Sequence, residues 1–335
     1  MENKPLLQVQ DLKTYFYTAS GVAKAVDGVN FSLDYGKTLG IVGESGCGKS
    51  VTSSSIMRLL PRNGKIVGGQ ILFEGRDLAQ LSAKDMLNIR GNEISMIFQD
   101  PMTSLDPVFT IGSQILEVIN AHQNLPQEEA RKYALDVLRL VGIPEPEKRM
   151  KSYPHEFSGG MRQRVMIAMA IVCNPKLIIA DEPTTALDVT VQAQVLGLMQ
   201  DLQKKTNTSI ILVTHNLGVV WKMCDNVMVM YAGKTVEYAD VKTLYKDAQH
   251  PYTWGLLRSM PKITDDPSVP LASIPGTPPD LKLTGGSCNF YNRCKYCQEI
   301  CKTECPPMRE ASPGHLVACH FTAEELKKIG GEEGD

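Results

Sequence analysis

The chain has 335 residues, a formal net charge of -2 and 43% hydrophobic residues, enough for a large core plus a small module, or for two domains. No stretch concentrates Lys and Arg, which argues against a protein that binds DNA or RNA. The N-terminus lacks a signal-peptide pattern, and no apolar run reaches the roughly 18 residues of a membrane span. We therefore expect a soluble, cytoplasmic chain.

Strand-like runs separated by turn residues occupy positions 6–42, and VTSSSIMRLL after them predicts a helix. GGQILFEG then predicts a hairpin arm and EISMIFQD a buried strand. From Ile111 to Val141 apolar residues recur every three or four positions, which predicts a helical insert. The next predicted elements are a helix over Arg162 to Asn174, a strand over LIIAD, a helix over Val189 to Lys204, and strands over SIILVTH and NVMVMYAG.

Strands that alternate with helices and consist of nearly continuous apolar runs indicate an α/β fold whose parallel sheet is covered on both faces. Past about Leu257 the segment PKITDDPSVPLASIPGTPPDLKLTGG is rich in Pro, Gly and Asp, so we interpret it as a linker. The expected division is a main domain over 1–257, with a helical subdomain at about 100–170, and a linker with a cysteine-rich extension over 258–335.

A phosphate-binding loop is predicted at Gly43 to Ser50, which fits G-x-x-x-x-G-K-[ST] between a strand and a helix. Its glycines allow backbone N–H groups to surround phosphates at a helix N-terminus. Lys49 is then expected to bridge the β- and γ-phosphates, and Ser50 to hold Mg²⁺. At Cys47 the backbone, rather than the side chain, should face phosphate. A chance glycine-rich turn is the alternative, which the flanking strand and helix disfavour.

Two further strands end in polar residues. LIIAD ends at Asp181, and Glu182 follows; at the C-terminal end of a strand, Asp181 suits a Mg²⁺ ligand and Glu182 a base that orients water. His215 follows IILVT and could bind the γ-phosphate. Structural roles, as a cap for the acidic pair or as an ordinary strand-end histidine, are the alternatives. The upstream phosphate loop favours the catalytic interpretation.

Together these motifs resemble the ABC ATPases over about residues 6 to 257. The family's signature is present as Phe157-Ser158-Gly159-Gly160-Met161-Arg162-Gln163-Arg164, its glutamine loop as Gln99 in FQDP, and its D-loop as Ala186-Leu187-Asp188. Phe157 and Met161 stand where Leu and Gln are commoner. The resemblance implies a P-loop core with an antiparallel β subdomain and a helical subdomain.

The resemblance also implies the residues of the ATP site. Catalytic roles fall to Lys49, Glu182 and His215, and Mg²⁺ binding to Ser50, Asp181 and Gln99. Ser158, Gly159, Gly160, Met161 and Asp188 would contact the nucleotide of a partner subunit, so that two ATP molecules join two such domains. The implied nucleotide contacts are Phe16, Gly43, Glu44, Ser45, Gly46, Cys47, Gly48, Lys49, Ser50, Val51, Gln99 and His215. Phe16 would stack on adenine, although Tyr15 and Tyr17 are close enough to leave the register open, and all three could simply belong to an edge strand.

GIVGESGCGKS, FQDPMTSLDP, YPHEFSGGMRQR and IPGTPPD resemble the ATPase subunits of oligopeptide and dipeptide importers, a group that includes nickel importers. This implies a second ATPase subunit, identical or not, two membrane permeases, an extracytoplasmic solute-binding protein, and a place on the cytoplasmic face of the membrane. Met102 to Phe109 would form part of the permease dock, unless it is an ordinary loop. A soluble ABC protein acting on DNA or ribosomes is the rival, but the chain has neither a tandem ATPase domain nor a long coiled-coil insert.

Six of the nine cysteines lie between Cys288 and Cys319. Disulfides do not suit a reduced cytoplasm, and Cys294-x2-Cys297 is half of a common zinc site with no second C-x2-C to complete it. The importer group resembles this segment in Cys288, Cys294, Cys301 and Cys319, which there hold a [4Fe–4S] cluster. Zinc and free thiols remain alternatives, and Cys297 and Cys305 leave the ligand set open.

Overall fold

The computed structural model describes residues 4–185, 187–261 and 273–330. Their contacts divide the chain into two compact units. The first contains the described residues of Met1–Ser32, Leu39–Ala79 and Thr214–Asp335, and the second contains Leu33–Thr38 and the described residues of Gln80–Val213. Each unit is described by itself below.

In the first unit one sheet has the strand order β2-β1-β4-β5, with β4 antiparallel to β1 and to β5. Its members are β1 (Leu7–Thr18), β2 (Gly21–Leu33), β4 (Gly64–Phe73) and β5 (Arg76–Asp77). Buried and partly exposed residues alternate along much of β1, as expected of a strand with one face on a core. Since β1 lies between β2 and β4, the aromatics at its end are not on an edge strand.

The first unit also contains a strand group in the order β11-β12-β10-β9-β3. These strands are β3 (Thr38–Val42), β9 (Asn226–Tyr231), β10 (Lys234–Asp240), β11 (Arg309–Ser312) and β12 (His315–Val317). β3 pairs in parallel with β9, as the apolar runs predicted, whereas the pairs β9–β10, β10–β12 and β12–β11 are antiparallel. The helices of this unit are α1 (Lys49–Ile56), α9 (Leu217–Met223), α10 (Val241–Asp247), α11 (Pro251–Arg258), α12 (Glu299–Thr303) and α13 (Ala323–Ile329).

The second unit contains the parallel strands β6 (Ile94–Ile97), β7 (Leu177–Asp181) and β8 (Ser209–Val213). Every residue of β7 and β8 is buried, which explains why their sequences are apolar without alternation. Its helices are α2 (Ala83–Ile89), α3 (Pro101–Ser104), α4 (Ile111–His122), α5 (Gln127–Leu140), α6 (Pro146–Arg149), α7 (Gly159–Ile171) and α8 (Val189–Thr206). The predicted helical insert is thus confirmed, and α7 begins earlier than predicted because Ser158 caps it.

A buried charged group attaches the β11–β12 hairpin to β10. Glu237, with no exposed surface, accepts hydrogen bonds from the backbone N–H groups of Gln249 (2.6 Å) and His250 (3.1 Å). Its carboxylate also lies 2.7 Å from Nε2 of His315, which is buried on β12. Since an unpaired buried carboxylate is costly, these three contacts together hold β12 and the start of α11 on one strand.

Among the residues that the structure describes, no helix combines the length and the apolar character needed to cross a membrane.

Stability should fall in mild acid because of His250. This side chain is 2% exposed, and burial lowers its pKa from 6.5 to about 4. A histidine kept neutral in the fold stabilises it fully above pH 6.5, and the contribution is lost as pH falls towards 4. At pH 5 this amounts to about 2 kcal/mol relative to pH 7. Urea unfolding at both pH values measures this. Between pH 7 and pH 5 the free energy of unfolding of His250→Asn should fall by about 2 kcal/mol less than that of the wild type.

The exposed His155 provides the control, since His155→Asn should keep the wild-type pH dependence. Equal pH dependence in the wild type and His250→Asn would contradict the assignment.

Candidate functional site

The phosphate-binding loop runs from the end of β3 to the start of α1, and two of its glycines are required by close backbone contacts. A Cβ at Gly43 would lie 2.2 Å from the Met230 carbonyl oxygen, and one at Gly48 would lie 2.3 Å from that of Ala25. Both glycines also have positive φ angles, 151° and 108°. The loop can therefore pass directly against β9 and β2 only with glycine at these positions.

Lys49 is the first residue of α1 and is buried, and its ammonium group is bound by the loop itself. Nζ donates to the carbonyl oxygens of Gly43 at 2.8 Å and of Glu44 at 3.0 Å. The loop thus curls around a positive charge at a helix N-terminus, an arrangement suited to an anion such as a phosphate. Ser50 and Val51 follow in the first turn, where Ser50 is exposed.

Cys47 contributes a buried thiol to the loop. It is 4% exposed, and burial raises the pKa of its thiol. Its main chain closes the loop, because the N–H donates to the Glu44 carbonyl at 3.3 Å and the carbonyl accepts from the Gly233 N–H at 2.9 Å. Ser45 and Gly46, by contrast, are exposed at the tip of the loop.

Two further residues that hold this loop were not predicted from the sequence. The Glu44 N–H donates to the hydroxyl of Tyr252, a fully buried residue of α11, at 2.8 Å. The Glu44 carboxylate is bound at both oxygens by Arg293, at 2.5 and 2.9 Å. Because these partners follow Glu44 by 208 and 249 residues, no local pattern could have identified them.

The three aromatics near the end of β1 have different surroundings. Tyr15 donates its hydroxyl to Asp27 at 2.8 Å, and burial together with this carboxylate raises its pKa to about 12. Phe16 is half-buried and packs over Gly64, its cross-strand partner. Tyr17 is 46% exposed and has the Lys65 ammonium 5.7 Å from its ring centroid. Phe16 and Tyr17 therefore remain the candidates for stacking on a base.

His215 is an exposed residue of the first unit and directly precedes Asn216, the N-cap of α9.

In the second unit, Asp181 is the buried last residue of β7, and the chain turns sharply after it. Glu182 has a positive φ of 48°, a conformation that is unfavourable for a residue other than glycine. Its carboxylate accepts from the Gln99 amide at 3.1 Å and from the Thr185 hydroxyl at 3.0 Å. The structure thus brings two of the predicted residues, Gln99 and Glu182, into direct contact and holds the carboxylate in one orientation.

The signature residues begin α7, a helix of 13 residues. Ser158 is its N-cap, and its hydroxyl accepts from the Met161 N–H at 3.4 Å. A Cβ at Gly160 would lie 2.6 Å from a methyl of Val191, so α8 packs closely against this turn. Asp188 caps α8 by accepting from the Val191 N–H at 2.9 Å. Ser158, Gly159 and Asp188 are exposed, and Ala186 of the predicted D-loop lies outside the described residues.

The cysteine-rich segment, residues 288–319, brings several of its thiols near one another, but their arrangement is not that of a metal-binding site. The Cys288 N–H donates to the Cys301 carbonyl at 2.9 Å. Burial first, and to a smaller extent the neighbouring Cys301 and Cys319, raise the pKa of Cys288 and of Cys294 to about 12. Over residues 4–185, 187–261 and 273–330, no group of three or more His, Cys, Asp and Glu side chains is arranged to hold a metal ion.

Comparison with known proteins identifies two regions of the chain. Residues 26–185 match the family model described as "ABC transporter", and residues 236–301 match the model described as "Oligopeptide/dipeptide transporter, C-terminal region". The oligopeptide transport ATP-binding protein OppD of Bacillus subtilis is 56% identical over 325 residues, which are 97% of this chain and 91% of that protein. The dipeptide transport ATP-binding protein DppD of the same organism is 52% identical over 94% of both chains.

Solved structures show the same fold. The dimeric ATP-binding cassette MJ0796 bound to ADP and Pi has a TM-score of 0.64 at 25% identity, covering 70% of this chain and 98% of that one. The protein cbiO1 of Clostridium perfringens, part of the ABC transporter complex cbiONQ, has a TM-score of 0.62 at 30% identity, covering 72% and 91%. The fold is therefore the P-loop fold of ABC ATPases with its antiparallel sheet and helical subdomain, and the chain belongs to the ABC transporter family of ATP-binding proteins.

Proposed function

We propose that this chain is the ATP-hydrolysing subunit of an importer for di- or oligopeptides and acts on the cytoplasmic face of the cell membrane. The observation that carries the proposal is the extent of the similarity. Relatives whose names specify oligopeptide or dipeptide transport match nearly the whole chain, including the region after the ATPase core. An ATPase core alone would leave the transported class open.

In the proposed mechanism Lys49 and the amides of the loop bind the phosphates of ATP. Glu182 orients the attacking water and accepts its proton, a role that suits a carboxylate held by Gln99 and Thr185. His215 binds the γ-phosphate from the end of its strand. Phe16 stacks on the adenine.

Ser50, Asp181 and Gln99 offer a hydroxyl, a carboxylate and an amide oxygen, which are the hard oxygen donors that Mg²⁺ prefers. When bound, Mg²⁺ neutralises charge on the β- and γ-phosphate oxygens.

A second ATPase subunit, identical or different, completes each site in this proposal. Ser158, Gly159, Gly160, Met161 and Asp188 would face the nucleotide of the partner. Support comes from the exposure of Ser158 and Gly159 at the N-terminus of a long helix, where unpaired N–H groups favour an anion.

Two membrane permeases would dock on the second unit, and a solute-binding protein outside the membrane would deliver the peptide. The segment Met102 to Phe109 is our candidate for part of the dock. Its exposed apolar side chains support this: Met102 is 64%, Val108 71% and Phe109 55% exposed. The ATPase domain would be residues 1–257, with its helical subdomain at about 100–170, and residues 258–335 would form the linker and extension.

We further propose that Cys288, Cys294, Cys301 and Cys319 hold a [4Fe–4S] cluster, which would act as a structural staple in a segment too small for a core of its own. The support is chemical: of the four thiols one is buried and three are partly buried, and Cys301 and Cys319 lie close enough to Cys288 and Cys294 to raise the pKa of both. Cys305 is exposed, which makes it the poorer ligand candidate.

Glu182→Gln should bind ATP but lose turnover, because the amide cannot accept the proton of the attacking water. We expect steady-state ATP hydrolysis to fall by about 10²–10⁴-fold. Uptake of a labelled oligopeptide into vesicles with the co-purifying permeases and binding protein should fall in parallel. Glu129→Gln, on the exposed first turn of α5, is the matched control and should behave as wild type.

Unchanged hydrolysis in Glu182→Gln would remove this residue from the base role. Vesicles that hydrolyse ATP but take up no peptide would refute the proposed cargo.

Alkylation of Cys47 should abolish ATP binding, since an added group has no room beside Gly43, and bound ATP should protect the thiol. At pH 7 the alkylation of Cys47 should be slower than that of the exposed Cys305, because burial raises the pKa of the Cys47 thiol and shields it from the reagent. Mass spectrometry of iodoacetamide-treated protein with and without ATP measures both rates. An alkylated Cys47 with full ATP affinity would show that the loop accommodates the added group.

Anaerobically purified protein should be brown and contain about four irons per chain. Cys288→Ser should lose iron, whereas Cys305→Ser, at the exposed position, should retain it. Iron and zinc analysis with visible absorption measures the outcome. A colourless protein with stoichiometric zinc would refute the cluster.

A further inference from the structure

The residue before Cys294 makes a direct contact with the phosphate-binding loop. Nη1 of Arg293 lies 2.5 Å from one carboxylate oxygen of Glu44, and Nη2 lies 2.9 Å from the other. The arginine side chain is 4% exposed and that of Glu44 is 27% exposed. This is the bidentate geometry in which guanidinium–carboxylate pairs are strongest, and it lies largely out of water.

Arg293 is held rigidly in this position. Nε donates to the Pro275 carbonyl at 2.8 Å, Nη2 to the Ile274 carbonyl at 3.1 Å and Nη1 to the Tyr231 hydroxyl at 3.3 Å. With the two bonds to Glu44, each of the five N–H donors of the guanidinium has an acceptor. A side chain fixed in this way can hold another residue in place, whereas a lone surface pair cannot.

Glu44 in turn fixes the loop through its main chain. Its carbonyl accepts from Lys49, and its N–H donates to Tyr252. Tyr252 packs against Tyr231 (4.6 Å between ring centroids) and Phe290 (5.4 Å), and Phe290 belongs to the cysteine-rich segment. A shift of the Glu44 side chain would therefore move the carbonyl that binds Lys49 and the N–H that donates to Tyr252.

Charge gives the pair a second effect. Glu44 places a carboxylate in the loop that is proposed to receive the negative phosphates of ATP. Paired with Arg293 it contributes little net charge, but unpaired it would repel the nucleotide.

We propose that Arg293 is a positioning residue for ATP binding: by pairing with Glu44 it holds and neutralises the phosphate-binding loop, so that the cysteine-rich segment sets the affinity for nucleotide. This inference rests on the proposed ATPase function and adds that a residue outside the ATPase motifs influences the affinity for ATP. Arg293 contacts the loop and acts through it on the bound nucleotide.

Arg293→Gln should raise the KM for ATP by about tenfold or more and leave kcat within about threefold, because binding is weakened before chemistry begins. Arg293→Lys keeps the positive charge but loses the bidentate contact with Glu44, so its KM for ATP should lie between those of the wild type and Arg293→Gln. ATP titration of steady-state hydrolysis, with Kd measured by a fluorescent ATP analogue, reports both quantities on the full chain.

The double variant Glu44→Gln, Arg293→Gln gives the sharpest test. Because it has no unpaired carboxylate in the loop, the double variant should bind ATP more tightly than Arg293→Gln alone. General damage to the fold would instead make the double variant bind ATP more weakly. Glu44→Gln alone is nearly isosteric and should raise the Kd for ATP less than Arg293→Gln, so it carries the test if the arginine variant does not fold. Arg139→Gln, which removes an exposed arginine–carboxylate pair, is the matched control and should change nothing.

If Arg293→Gln and Glu44→Gln both bind ATP within twofold of the wild type, or if the double variant is weaker than Arg293→Gln, the inference is wrong. A wild-type protein that does not hydrolyse ATP would instead refute the proposed function.

Discussion

The close approach of Gly43 and Gly48 to neighbouring main chain is the constraint on which the rest of the site depends. Because no Cβ fits between the loop and the carbonyls of Met230 and Ala25, the loop lies directly on two strands. This places Lys49 in the first turn of α1 with its ammonium group enclosed by carbonyl oxygens. Backbone packing, more than side-chain chemistry, therefore makes this turn able to receive an anion.

In the second unit a strained backbone conformation at Glu182 determines where a carboxylate lies. At Glu182 the backbone adopts a conformation that glycine or asparagine would tolerate better. Such a backbone conformation costs on the order of 1 kcal/mol. Gln99 and Thr185 then fix its direction. Strain and hydrogen bonding together produce a carboxylate with a defined orientation immediately after a buried aspartate.

The sequence predicted what depends on local pattern. The loop, the buried strands β3, β7, β8 and β9, and the helices α4, α5, α7 and α8 follow from motifs and apolar periodicity. Strand β10 and the hairpin of β11 and β12 were not predicted, because their stability comes from pairing and from the buried contact of Glu237 with His315, which is distant in sequence. The contacts of Tyr252 and Arg293 with Glu44 could not be predicted for the same reason, because more than 200 residues separate each of them from Glu44 in the sequence.

The pairing of Glu44 with Arg293 also bears on where the chain could be shortened. A minimal protein cut after α11 would retain every motif of the ATPase and would look complete by sequence. It would nevertheless lack the guanidinium that faces Glu44, the Phe290 ring beside Tyr252, and the strand that covers Glu237. The contacts that hold the phosphate-binding loop and β10 in this protein therefore extend beyond the residue at which the ATPase motifs end.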